Sequence, residues 1–284
     1  MSIAVLFVAS ACISITPVAQ ETSPPTAAPP TFIAAAPTQL PATPSPGPTT
    51  APSAPASPSP GHSATPGPTR TPAPTKPAAT VDPTDPACSD DAFNLEGFSW
   101  NETYRWFYDS DTTPANLDPS ATLAVIQTAF DNVTGEHNDC GRPDTIHAKA
   151  LYMSDTKRTP CTDQADGVNT VAFGAIPSDL ASDVIAYTCP YSGGPDSAIA
   201  FEADIVINDE IPWALSNDLC FLQVLLEPTI THEAGHVFGL DHVNERQHGE
   251  LTMSTTINGT CDDSASTLGL GDMLGLEQLY GPNS

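Results

Sequence analysis

His232-Glu233-Ala234-Gly235-His236-Val237-Phe238-Gly239-Leu240-Asp241-His242 places three imidazoles, the Glu233 carboxylate and the turn glycine Gly239 at spacings that decide how the rest of the chain is read. On an α-helix His232 and His236 stand four residues apart, on one face and about 6 Å apart along the axis, close enough to share one small cation. Glu233 sits roughly 100° around the helix, turned from the ligand position but within reach of a water on the same ion. Gly239 supplies the positive φ with which a helix end turns back, so that His242 returns as a third ligand. Three protein ligands leave one position open. Catalytic zinc is held this way, its water acidified to a pKa of about 7, whereas structural zinc is closed by four protein ligands. The stretch therefore predicts one catalytic Zn²⁺ on His232, His236 and His242, with Glu233 as the general base that activates the zinc-bound water.

The chain around it divides by composition. Ile3 to Ile15 is mostly apolar and too short to span a bilayer, as in a secretory signal, so residues 1–19 read as a leader. Ala9-Ser10-Ala11-Cys12 has the form of a lipobox, which makes Cys12 a lipidation candidate, and lipid anchoring and simple secretion both remain open. Residues 20–87 are rich in Pro, Ala, Thr and Ser, and residues 1–87 hold 21 of the 31 prolines. Such a segment lacks the apolar residues to offset its ordering entropy and reads as a disordered, extended stalk.

Residues 88–284 have the length of one domain. They carry 31 acids against six bases, a net charge of −25, which argues against a nucleic-acid partner. Some of those carboxylates suit Ca²⁺, although no EF-hand spacing names a site. Setting Cys12 aside, six cysteines remain: Cys88, Cys140, Cys161, Cys189, Cys220 and Cys261. An even number behind a secretory leader predicts three disulfides and a secreted or cell-surface location, with the pairing left open among fifteen and Cys220–Cys261 only a guess.

Periodicity gives strands at 104–108, 145–153, 168–174, 184–188 and 198–208. It gives a helix at 119–133, a helix ending at Gly239 and a last helix near 271–279. Pro228 either opens the middle helix in its first turn or kinks it. The expected fold is α/β (α+β): a mixed five-stranded sheet with one packing helix, an active-site helix and a C-terminal helix.

The pattern H-E-x-x-H-x-x-G-x-x-H resembles the metzincin clan of zinc endopeptidases, whose downstream Met-turn is matched by Leu251-Thr252-Met253-Ser254. The strand stretches Asp166–Phe173 and Glu202–Asn208, and the ending Leu279-Tyr280-Gly281, make it most similar to the matrixins, in the manner of a bacterial member. The resemblance implies that Met253 forms the floor beneath the zinc and that Val184–Thr188, with Ile185, Ala186 and Tyr187, is the edge strand pairing with an extended substrate. It implies a monomeric, extracellular zinc endopeptidase acting on proteins or peptides, touching a membrane only through a lipid anchor at Cys12. Cys140-Gly141-Arg142-Pro143-Asp144 spells the core of the family's cysteine switch but lies downstream of the first helix, where a disulfide is the better use of Cys140. The alternative from another class is a non-catalytic, stalked surface-binding protein on the same fold; a zinc hydrolase of non-peptide substrates is a third reading.

Overall fold

In the computed structural model, residues 12–15, 84–181, 183–193, 198–257 and 259–281 are described; the stalk up to residue 83 and the leader apart from residues 12–15 lie outside them. The strands are β1 (Cys12–Ile15), β2 (Asn94–Leu95), β3 (Tyr104–Tyr108), β4 (Ala150–Asp155), β5 (Asn169–Gly174), β6 (Val184–Ser192), β7 (Ala200–Asn208), β8 (Trp213–Ala214), β9 (Val224–Leu225), β10 (Leu240–Asp241) and β11 (Thr256–Ile257). The helices are α1 (Pro119–Thr134), α2 (Leu226–Val237), α3 (Glu245–His248) and α4 (Leu270–Tyr280).

Five long strands run β6-β7-β5-β3-β4, with β1 and then β11 added outside β6. β3, β4, β5 and β7 are parallel, and β6 is antiparallel to β7. This is the mixed α/β architecture that the sequence called for.

β3 shows why these residues make a strand: Tyr104, Trp106 and Tyr108 are buried while Arg105 between them is exposed, the period-two pattern of a half-buried surface. α1 starts at Asp118, whose side chain accepts from Ala121 N at 2.8 Å, with Pro119 in its first position. It lays Ile126, Ala129, Phe130 and Val133 on the sheet, Phe130 meeting Trp106 at 4.8 Å and Tyr104 at 5.4 Å between ring centroids. Tyr104 also meets Phe238, at the end of α2, edge-on at 5.9 Å, so one aromatic cluster joins the sheet, α1 and α2.

Two expectations change. β4 begins at Ala150, because the preceding residues bond elsewhere: Thr145 N to Glu136, Ile146 N to Asp144 and His147 N to Tyr280 O. β6 extends to Ser192, through Pro190, and is not the sheet's edge. Its outer side pairs antiparallel with β1, Cys12 opposite Tyr187 and Ile13 opposite Ala186. Among the described residues that pairing stops at Tyr187, short of Pro190, which has no N–H to give to an outer partner.

Three disulfides cross-link the fold: Cys88–Cys140, Cys161–Cys189 and Cys220–Cys261. They fit an extracellular or secreted protein. Cys140 is thus consumed as a staple, holding the loop after α1 to the turn that begins the described domain. Among the described residues no helix is long and apolar enough to cross a membrane.

Candidate metal centre

α2 begins without a side-chain cap, and Pro228 sits in its first turn, where a missing N–H costs nothing. His232, Glu233 and His236 are fully buried on it. The helix then ends on a held turn. Gly239 has φ 86° and backs onto the carbonyl of Phe98, so that a β-carbon there would both be strained and collide. The last carbonyls of the turn are bound by side chains, Val237 O by Trp100 Nε1 at 2.7 Å and Phe238 O by the Tyr280 hydroxyl at 3.0 Å. β10 then pairs with β2, and Asn94 Nδ2 donates to His242 O at 2.7 Å, which fixes the third imidazole.

The three Nε2 atoms converge, 3.0 Å apart for His232–His236, 3.1 Å for His232–His242 and 3.2 Å for His236–His242. His232 Nδ1 faces Thr252 O at 2.7 Å and His236 Nδ1 faces Leu240 O at 2.8 Å. A carbonyl only accepts, so both Nδ1 atoms carry the proton, and the Nε2 atoms of these two rings present bare lone pairs to one another. Lone pairs at that distance repel unless a cation lies between them. Separations near 3 Å suit nitrogens that share one ion at about 2.0–2.1 Å each. The three histidines therefore lie close enough to hold a metal ion, and among the described residues no fourth His, Cys, Asp or Glu joins the group.

Burial reinforces this. It pushes His232 down to about 3, aided by His242 nearby, and pushes His236 far down and His242 down as well, so the rings stay neutral and able to ligate. The Glu96 carboxylate lies 3.7 Å from His236 Nδ1, behind the ring.

Glu233 occupies the position beside the ligands that its helical phase requires. Thr188 on β6 donates its hydroxyl to Glu233 Oε2 at 2.6 Å, while Oε1 is buried with no hydrogen-bond partner among the described residues. Burial raises the Glu233 carboxyl to about 8, the Thr188 hydrogen bond opposing it; a cation alongside acts in the opposite sense to burial.

Met253 lies beneath the site, 2 % exposed, its sulfur packed where a β-carbon on Gly235 would have to go. The turn that carries it hangs from Asp272 on α4, whose carboxylate accepts Thr252 N at 2.9 Å, Met253 N at 3.2 Å and Gly269 N at 2.9 Å. Since Thr252 O also receives His232 Nδ1, one buried aspartate orients a ligand histidine through the turn.

The sequence named the three histidines, Glu233 and Met253; the fold brings the three histidines within reach of one ion, buries Glu233 on the same helix and packs Met253 against Gly235. It missed the support given by Thr188, Glu96 and Asp272, which lie far from the motif in sequence and carry no spacing signal. Ile185, Ala186 and Tyr187 lie on β6, the strand that also carries Thr188, but β1 covers the outer side of that stretch. Cys12 opens β1. No protein-family model and no curated protein matches this chain.

Proposed function

We propose that this protein is a zinc-dependent endopeptidase that hydrolyses peptide bonds of extracellular proteins, a metzincin of matrixin-like type. The observation that carries the proposal is the convergence of three neutral imidazoles beside a buried carboxylate with one unpartnered oxygen. His232, His236 and His242 would hold the zinc, which when bound would supply Lewis acidity to a water and to a scissile carbonyl. Glu233 Oε1 takes a proton from the attacking water and later delivers it to the departing amine, work worth about 10² to 10⁴ in rate. Thr188 holds the other carboxylate oxygen, which leaves Oε1 for this proton transfer. Gly235, Gly239 and Met253 keep the ligands in place without entering the chemistry.

The region outside β6 supports a peptide substrate. It already accepts an extended backbone, since β1 lies antiparallel to β6 and parallel to β11, Ser14 opposite Thr256. A substrate strand in the same place would make the same ladder, with side chains alternating toward and away from the cleft. β1 belongs to the stretch read as a secretion leader, and its removal would free this side of β6.

The test is digestion of casein by the exported, processed protein, with chelator, with zinc restored, and with Glu233→Ala alongside. Zinc-dependent cleavage that Glu233→Ala abolishes while retaining bound zinc is the expected result. A protein that binds zinc yet leaves casein and a panel of unfolded proteins intact is a binding protein instead, and overturns the proposal.

A further inference from the structure

Among the described residues five large apolar side chains are exposed, and three of them fall in one tetrapeptide: Leu219 at 82 %, Phe221 at 80 % and Leu222 at 68 %. The fourth residue, Cys220, ties this loop to Cys261. The loop is built rather than loose. Cys261 N donates to Gln223 O at 2.9 Å, and Gln223 Nε2 donates to Trp213 O at 2.8 Å. Leu222 takes φ 56°, a left-handed conformation that bulky residues rarely adopt, and the cross-links hold it there. A domain that encloses Trp106, Trp213 and Phe238 completely thus presents these three side chains to water on a braced tip. Clustered exposure of this kind marks a surface that meets a partner.

The surrounding charge selects the partner. Asp218 lies beside Leu219, and Asp262 and Asp263 follow Cys261 across the disulfide, with Asn217 Nδ2 reaching Asp263 at 3.3 Å. The sequence has no Lys or Arg between Arg158 and Arg246 or after Arg246, so neither stretch that forms the tip brings a cation. An anionic membrane or nucleic acid is therefore disfavoured, and cationic groups flanking an apolar stretch are favoured. The location gives the tip a use. The loop runs through β9 directly into α2, and His232 follows the first residue of that helix by six positions, a rise of about 9 Å.

We propose that Leu219, Phe221 and Leu222 form a docking tip for polypeptide segments that combine bulky apolar side chains with lysine or arginine, on the loop that leads into α2. Binding at the tip does not require hydrolysis, so it can be tested separately from the peptidase reading.

The experiment uses the full chain carrying Glu233→Ala, and measures the fluorescence anisotropy of a labelled dodecapeptide of alternating leucine and lysine. The same peptide with glutamate for lysine and phosphatidylcholine vesicles serve as further probes. The Leu219→Ser, Phe221→Ser, Leu222→Asn variant, in which Asn suits the left-handed position, is expected to bind the leucine-lysine peptide at least about tenfold more weakly. The glutamate peptide is expected to bind the parent chain at least about tenfold more weakly than the lysine peptide, and the lysine peptide's affinity to fall with salt. If circular dichroism shows the triple variant unfolded, Phe221→Ser alone is read, with a loss of about threefold or more expected. Equal binding by the folded variant overturns the proposal, as does loop-dependent binding of the parent chain to the vesicles or loop-dependent self-association in sedimentation.

Discussion

Thr188 illustrates what one side chain contributes here. Its hydroxyl, buried on β6, makes the hydrogen bond that orients Glu233 from a strand 45 residues away. A charge-assisted hydrogen bond of this kind is worth about 1.5–3 kcal/mol. Thr188→Val, which keeps the shape and removes the donor, is expected to lower kcat about 10- to 100-fold at unchanged zinc content, with KM little moved. Thr188→Ser should restore most of the rate; a loss that Ser does not rescue would show that packing, not the hydroxyl, matters. Asp272 makes a different prediction. Asp272→Ala leaves three backbone N–H groups buried without their acceptor, at roughly 1–3 kcal/mol each, and releases the turn that holds His232. Thermal unfolding should show a loss on the order of 3 kcal/mol or more, and chelator competition a weaker hold on zinc. Neither residue stood out in the sequence, because a threonine in a strand and an aspartate in a helix's first turn are ordinary until the fold puts them against the motif.

At the scale of elements, pattern located what periodicity encodes and missed what depends on neighbours. The alternation of Tyr104, Trp106 and Tyr108 and the 3.6-residue rhythm of α1 are local and were legible. The length of β6 was not: Pro190 marks the end of a strand unless that part of the strand has an open side, a fact about its neighbours. Nor was it legible that a stretch read as leader would pair with the strand read as the sheet's edge. This pairing leads to a prediction. Protein lacking residues 1–19 is expected to cleave a peptide substrate faster than the full chain by at least about threefold, because β6 regains free backbone donors and acceptors for an extended substrate. Equal initial rates for the two forms would mean that β1 does not compete with substrate.

For the molecule as a whole, acidity is the dominant property. Besides Glu233, five carboxyls, Asp131, Glu136, Glu202, Asp204 and Asp272, are held above their ordinary range, burial being the main cause in each. Asp204 is the clearest, 3 % exposed and raised to about 7, with Glu202 and Asp166 adding to burial while the N–H groups of Thr170 and Cys161 oppose it. The folded state binds this proton more tightly than the unfolded chain does. The resulting stabilisation is complete below the unfolded pKa of 3.8 and is lost as pH rises through about 7, at most on the order of 4 kcal/mol. In the metal-free protein the three depressed histidines act in the opposite sense over the same range, so the prediction is made for the single group: Asp204→Asn should lower the melting temperature at about pH 5 relative to that at about pH 8, compared with the parent. An unchanged difference in the variant would assign the effect to the other carboxyls or to net repulsion. The disulfides resist that repulsion: closing loops 52, 28 and 41 residues long stabilises the fold by about 3–4 kcal/mol each in the chain-entropy account.

The sequence by itself determined the ligand set and its phase on the helix. Positions four apart on an α-helix share a face, and a glycine can turn the chain where other residues are strained, so His232, His236, Gly239 and His242 specify three imidazoles close enough to hold a metal ion. It also determined the layered α/β class, through periodicities of 2 and 3.6 that need no partner to be visible. Only the tertiary structure decided which cysteines pair, that Cys140 is a staple, that Thr188 and Asp272 support the site, and that β1 lies along β6. Each of these depends on groups 20 to 175 residues apart meeting at ångström distances. Such meetings are fixed by the packing of the whole core, which leaves no local signature in the chain.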